Sequence, residues 1–185
     1  MLNKAALHLT LSLLLINSCT AQTTQTQDCS YAHTVLASID QIDGASISSS
    51  EKGIDPSSSE NVVTHNIEYR NGDIATIEQK YCSMYNFEVT YQIKQLTKES
   101  FTAALNNIDR LIPKVEQDYR LVAPLEMIIV REMSEHQLSI ESEFTRGLPE
   151  MAARSNSSFE HFLRFQPATN DSAAKVTFYF GIGGH

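Results

Sequence analysis

The chain has 185 residues, 42% of them hydrophobic and 19% charged, with 14 Lys and Arg against 22 Asp and Glu for a formal net charge of −8. That length fits one domain with a real core. An acidic chain without a Lys/Arg cluster excludes nucleic acid, whose binding depends on neutralising phosphates, and excludes docking on anionic lipid by charge alone.

Residues 1–18 read as a secretory signal peptide. Lys4 supplies the positive start and Leu9, Leu11, Leu13, Leu14, Leu15 and Ile16 the apolar centre, a run too short for a spanning helix, which needs about 20 apolar residues. Ile16-Asn17-Ser18-Cys19 resembles the lipobox of bacterial lipoproteins over four residues, with Asn17 atypical. The resemblance implies acylation of Cys19, and two or more acyl chains anchor a protein stably where one does not. Cys19-Thr20-Ala21 ahead of Gln22 is a competing small-x-small site that would release a secreted form. Residues 19–28 are a polar, Thr/Gln-rich tether, and 29–185 form a single globular domain.

Either cleavage leaves Cys29 and Cys82 as the remaining cysteines. In an oxidising compartment a disulfide between them is expected. It closes a loop of about 50 residues and is worth ~4 kcal/mol in the chain-entropy picture.

The elements follow in chain order. Apolar residues at 31, 32, 35, 36, 39 and 42 have helical spacing, stopped by Asp43-Gly44. The Ser-rich stretch Ser46 to Glu60 reads as an exposed loop. Val62 to Tyr69 and Ile74 to Tyr81 flank Asn71-Gly72, the preferred pair for a two-residue hairpin. Such a loop sets Tyr69 opposite Ile74, Ile67 opposite Thr76 and His65 opposite Glu78. After a turn near Ser83 to Asn86 comes a strand with Phe87, Val89, Tyr91 and Ile93 on one face and Glu88, Thr90, Gln92 and Lys94 on the other. Thr97 caps a helix whose stripe is Phe101, Ala104, Leu105, Ile108, Leu111, Ile112 and Val115, kinked or ended near Pro113. Leu125 to His136 is helix-compatible but ambiguous with a strand. Leu138, Ile140 and Phe144 suggest a short strand, and Gly147 to Ser158 a loop. Phe159 to Phe165 and Lys175 to Ile182 form a last hairpin. The fold class is α+β: an antiparallel sheet of about five strands with one face covered by helices.

Chemistry is sparse. There is no G-x-S-x-G elbow, no phosphate-binding glycine loop and no H-E-x-x-H. His33, His65, His136, His161 and His185 are scattered, so no metal site or cofactor is expected; Glu132 and His136 share a helix face as an i,i+4 pair. Glu141 and Glu143 read as a solvated pair rather than catalytic acids. Asn156 and Asn170 head N-glycosylation patterns, which matter only in a eukaryotic source. What remains is a surface near Cys82 that gathers His65, Glu78, Tyr81, Tyr85 and Asn86, residue types favoured at protein interfaces. The same residues also fit an ordinary cross-strand pair with tyrosines covering the core.

Together these features imply an exported, lipid-anchored, non-enzymatic envelope protein that binds another protein, periplasmic or associated with the outer membrane. In size, export, acidity and lack of catalytic motifs it looks like an inhibitor or immunity protein. An envelope assembly or scaffold lipoprotein is the alternative, and an unrecognised hydrolase the lesser one. Acylation at Cys19 predicts that Cys19→Ala moves the protein from the membrane to the soluble fraction; unchanged membrane association would refute it.

Overall fold

The alternation from Phe87 to Lys94 builds the central strand. The computed structural model describes residues 29–32, 42, 44–112, 123–148 and 159–183. The elements are strands β1 (Ala45–Ile54), β2 (Asn61–Tyr69), β3 (Ile74–Tyr81) and β4 (Met84–Ile93), helices α1 (Lys98–Leu111) and α2 (Leu125–Glu135), then strands β5 (Phe144–Gly147), β6 (Phe159–Gln166) and β7 (Ala174–Gly183). One seven-stranded sheet runs in the order β1-β2-β3-β4-β7-β6-β5, antiparallel throughout. After β4 the chain leaves through the two helices, re-enters at the far edge as β5, and returns by β6 to place β7 beside β4. The α+β expectation holds, with one face of the sheet covered by two helices and with seven strands rather than about five.

Strand β4 keeps its predicted faces: Phe87, Val89 and Tyr91 are fully buried and Ile93 nearly so. On β7 the same holds for Val176, Phe178, Phe180 and Ile182. Their rings interlock across the central pair, with Phe180 5.3 Å from Phe87 and 5.7 Å from Tyr85, in the offset range where aromatic pairs attract. Helix α1 packs on β4 and β7 through Phe101, Ala104, Leu105, Ile108 and Leu111, all buried. The ring of Phe101 meets Phe165 of β6 edge-on at 5.1 Å.

Helix α1 starts where its cap dictates. Thr97 Oγ1 accepts from the Ser100 amide at 3.1 Å, and Ser100 Oγ accepts from the Thr97 amide at 2.8 Å. This reciprocal box satisfies two otherwise orphaned donors. The helix ends at Leu111, because Ile112 is already extended (φ −61°, ψ 119°), as a residue preceding proline prefers. Val115, the last residue of the expected stripe, lies outside the described residues. The ambiguous segment after Pro124 is helical. Leu125, Ile128, Ile129 and Glu132 are buried at helical spacing, and the apolar run Met127 to Val130, which also suits a strand, divides with that period: Ile128 and Ile129 face inward, and Met127 and Val130 are exposed.

Three expectations are corrected. The supposed loop Ser46 to Glu60 is mostly strand β1, at the sheet edge. Its apolar residues Ile47 and Ile54 are 48% and 69% exposed, so the strand is held by backbone pairing and has no buried alternation to betray it. A bulge between Ile47 and Ser49, with Glu51 and Lys52 beyond it, blunts the free edge. The expected strand over Leu138 to Phe144 starts only at Phe144, with turns before it.

The β2–β3 register is the third correction. The loop has three residues, Arg70, Asn71 and Gly72, with the Gly72 amide donating to the Tyr69 carbonyl (2.8 Å) and the Tyr69 amide to the Asp73 carbonyl (3.0 Å). Gly72 alone in the loop is left-handed, at φ +85°; a two-residue type I′ turn would need Asn71 there as well. Asp73 locks this geometry. Its buried carboxylate accepts from the Asn71 side chain (2.7 Å), the Tyr91 hydroxyl (3.1 Å) and the Lys94 amide (2.8 Å). The register therefore slips by one: His65 pairs with Ile77, and Thr64 with Glu78.

The expected helix from Tyr31 to Ile42 lies largely outside the described residues, as do the expected leader and tether and most of the expected loop from Gly147 to Ser158. Tyr31 is described; its amide donates to the Cys82 carbonyl at 3.0 Å. Among the described residues no helix is long and apolar enough to cross a membrane. Forcing a side chain into the left-handed position by Gly72→Ala should cost about 1–2 kcal/mol, read as a lower denaturant midpoint at unchanged slope.

Candidate functional site

Antiparallel strands buried on one side present their other side to solvent. Here that side is built of rows, one residue per strand. The first row runs across all seven strands: Ser49, Asn66, Thr76, Thr90, Thr177, Arg164 and Thr145. Its members bond sideways. Asn66 Nδ2 donates to Ser49 Oγ (2.9 Å), and Asn66 Oδ1 accepts from Thr76 Oγ1 (2.9 Å). Thr90 and Thr177 share a bond at 3.3 Å, and Arg164 Nε donates to Thr145 Oγ1 at 3.4 Å.

The second row is Glu51, Thr64, Glu78, Glu88, Tyr179, Phe162 and Gly147. Here the polar pattern breaks, because two aromatic side chains stand on the wet face. The rings of Phe162 and Tyr179 stack at 5.1 Å with 23° between planes, and the Arg164 guanidinium lies 5.6 Å from the Phe162 centroid. The Tyr179 hydroxyl donates to Asn86 Oδ1 at 3.1 Å. Gly181 makes that bond possible: a Cβ there would sit 2.7 Å from the Tyr179 oxygen and 2.8 Å from Asn86 Oδ1. Burial of the ring, and then the charges of Glu160 and Glu88, hold the Tyr179 phenol above its ordinary pKa, so at neutral pH it is a neutral donor.

At the β1–β2 end of the same face an open hollow of about 350 Å³ is lined by residues including Glu51, Asp55, Val62, Thr64, Glu78 and Lys80. Lys80 Nζ reaches Asp55 Oδ2 at 2.7 Å and Glu78 Oε1 at 3.4 Å. That contact, with bonds from Ser57, holds the Asp55 carboxyl well below the usual carboxylate range.

The surface expected near Cys82 is divided between two sides of the sheet. Glu78 and Asn86 stand on the open face. Tyr85 is fully buried on the other, its hydroxyl donating to Gln79 Oε1 at 3.1 Å. Tyr81 is partly buried against the same core. His65 also points to the helix side, its Nδ1 2.7 Å from Ser50 Oγ. The one-residue slip sends His65 and Glu78 to opposite faces, while alternation along β3 and β4 separates Tyr81 from Glu78 and Tyr85 from Asn86.

The disulfide is present: Cys29 and Cys82 are bonded, with Cα atoms 4.2 Å apart. Beside it the buried Glu60 accepts from the Ser83 amide at 3.2 Å and from the Ser83 hydroxyl, fastening the start of β2 to the β3–β4 turn. The Glu132–His136 pair forms at 3.4 Å. With Glu135 these groups converge closely enough to hold a metal ion, but Arg131 lies 3.9 Å from both carboxylates and the group reads as ion pairs. Glu141 and Glu143 are exposed.

Sequence reasoning missed Phe162, Tyr179 and Arg164. The signal was available: Val176, Phe178 and Phe180 fill the core side of β7, so Tyr179 falls on the wet side, and Leu163 with Phe165 does the same for Phe162 on the neighbouring strand. No protein-family model, curated protein or solved structure matches this chain.

His161 faces the core side beside Phe180, and its Nδ1 is buried without a hydrogen-bond partner. Burial pushes its pKa below the ordinary 6.5, so the folded state favours the neutral ring. The unfolded chain then binds the proton more readily, and stability present above pH 6.5 is lost as pH falls through the folded pKa. His161→Phe should flatten the fall in thermal midpoint between about pH 7 and pH 5; an unchanged pH dependence would assign that fall to other groups.

Proposed function

We propose that the chain is an exported, lipid-anchored, non-enzymatic envelope protein that holds another protein against the open face of its sheet, in the manner of an inhibitor or immunity protein. The observation that carries this reading is the Tyr179–Phe162–Arg164 stack standing among hydrogen-bonded polar rows on the side of the sheet away from the helices. Tyrosine, phenylalanine and arginine are the residue types enriched at protein interfaces, and binding energy concentrates in such anchors. The face is broad, and its side chains are braced by their neighbours, so little side-chain freedom remains to be lost on binding. Export and anchoring are supported by the leader that ends at Cys19.

The test is affinity capture of the mature chain from envelope extract, in parallel with Phe162→Asp. The expected outcome is one soluble protein at near-stoichiometric yield on the parent and its loss on the variant, with the variant's circular dichroism unchanged. Equal capture by both would remove the open face from the reading. Capture of membrane proteins alone would favour the scaffold alternative.

A further inference from the structure

We infer that the partner meets this face with a cationic, arginine-bearing segment laid along the strip from Glu78 to Glu160. The inference rests on the contact reading above and gives that contact a chemistry.

The strip is unbalanced in charge. Glu78 and Glu88 stand directly opposite each other on neighbouring strands, an arrangement that destabilises a sheet. Glu88 is exposed, and Glu160 lies on the far side of Tyr179, close enough that both charges act on its phenol. Asp55 and Glu51 extend the acidic side toward β1. Lys52 and Lys80 are the cations lining that hollow, and Lys80 is divided between Asp55 and Glu78. Arg164 is laid over Phe162, and the five carboxylates Glu51, Asp55, Glu78, Glu88 and Glu160 still outnumber these three cations. A like-charged cross-strand pair beside a half-buried aromatic stack weakens the fold and suits a ligand that brings positive charge.

Arginine fits better than lysine. Its planar guanidinium pairs with a carboxylate through two parallel bonds and also stacks on a ring face. Arg164 on Phe162 shows that this surface accepts a guanidinium in that way. A field of carboxylates also speeds the encounter with a basic partner and rejects acidic ones.

The experiment uses the isotope-labelled mature chain titrated with an alternating Arg-Ser peptide, with the Glu-Ser peptide as control. Amide shifts should cluster at Glu78, Glu88, Phe162 and Tyr179 and fade as salt is raised. They should be absent with the control. The double variant Glu78→Gln, Glu88→Gln should weaken binding about tenfold while its melting temperature stays level or rises, since it relieves repulsion. Shifts spread evenly over other acidic sites such as Glu126 and Glu135, or binding unaffected by the double variant, would overturn the inference. A chain that captures a protein through Phe162 but ignores the cationic peptide would keep the contact reading and lose this one.

Discussion

The pairing of β4 with β7 is the interaction on which the rest depends. It joins residues about ninety positions apart, such as Glu88 with Tyr179 and Phe87 with Phe180, so the chain must close a long loop before the sheet has a centre. Once it does, strict alternation assigns every side chain of both strands to one of two environments. The inner set makes an aromatic core that α1 covers. The outer set sets Glu88 beside Tyr179, and because β6 then pairs with β7, Phe162 follows. Core and candidate surface are two readings of one register, and a slip here would move each into the other's place.

How much of this could be read in advance depends on whether an element buries anything. Strands β4 and β7 and helix α1 were legible because each buries a regular stripe. Strand β1 was not, since its serines, Glu51 and Lys52 face solvent at an edge and its cohesion comes from backbone bonds that any sequence can make. The β2–β3 turn was misread for a different reason. Asn71-Gly72 does favour a two-residue turn locally, but Asp73 has three partners to satisfy, among them Tyr91 on β4 and Lys94 just past its end. Tertiary hydrogen bonding to a buried carboxylate outweighs a local preference of this size. That single residue of slip dispersed the expected His65–Glu78 surface.

The disulfide could be foreseen from cysteine arithmetic, but its structural role could not. Cys82 sits in the β3–β4 turn, and Tyr31 continues the attachment through the hydrogen bond its backbone N–H donates to the Cys82 carbonyl. Glu60 ties the same turn to β2 through Ser83. The turn is thus where the N-terminal part of the domain is fastened to the sheet, covalently and by hydrogen bonds.

That fastening bears on how the open face would be presented. The charged strip lies toward the same end of the strands: Lys80 and Asn86 face each other a single residue pair from Tyr81 and Tyr85, where the turn begins. With the chain anchored as proposed, a tether attached at Cys29 would start near the strip, and the β6–β7 connection lies at the far end of the strands. On the proposed anchoring, a polar linker of about ten residues reaches some tens of ångströms at most. The strip would then be held close to the membrane surface, where a soluble cationic partner is also drawn by anionic lipid. On that reading, local carboxylates would compete with the lipid for the partner's arginines, a physical role for the Glu78–Glu88 pair that the stability of the fold does not supply.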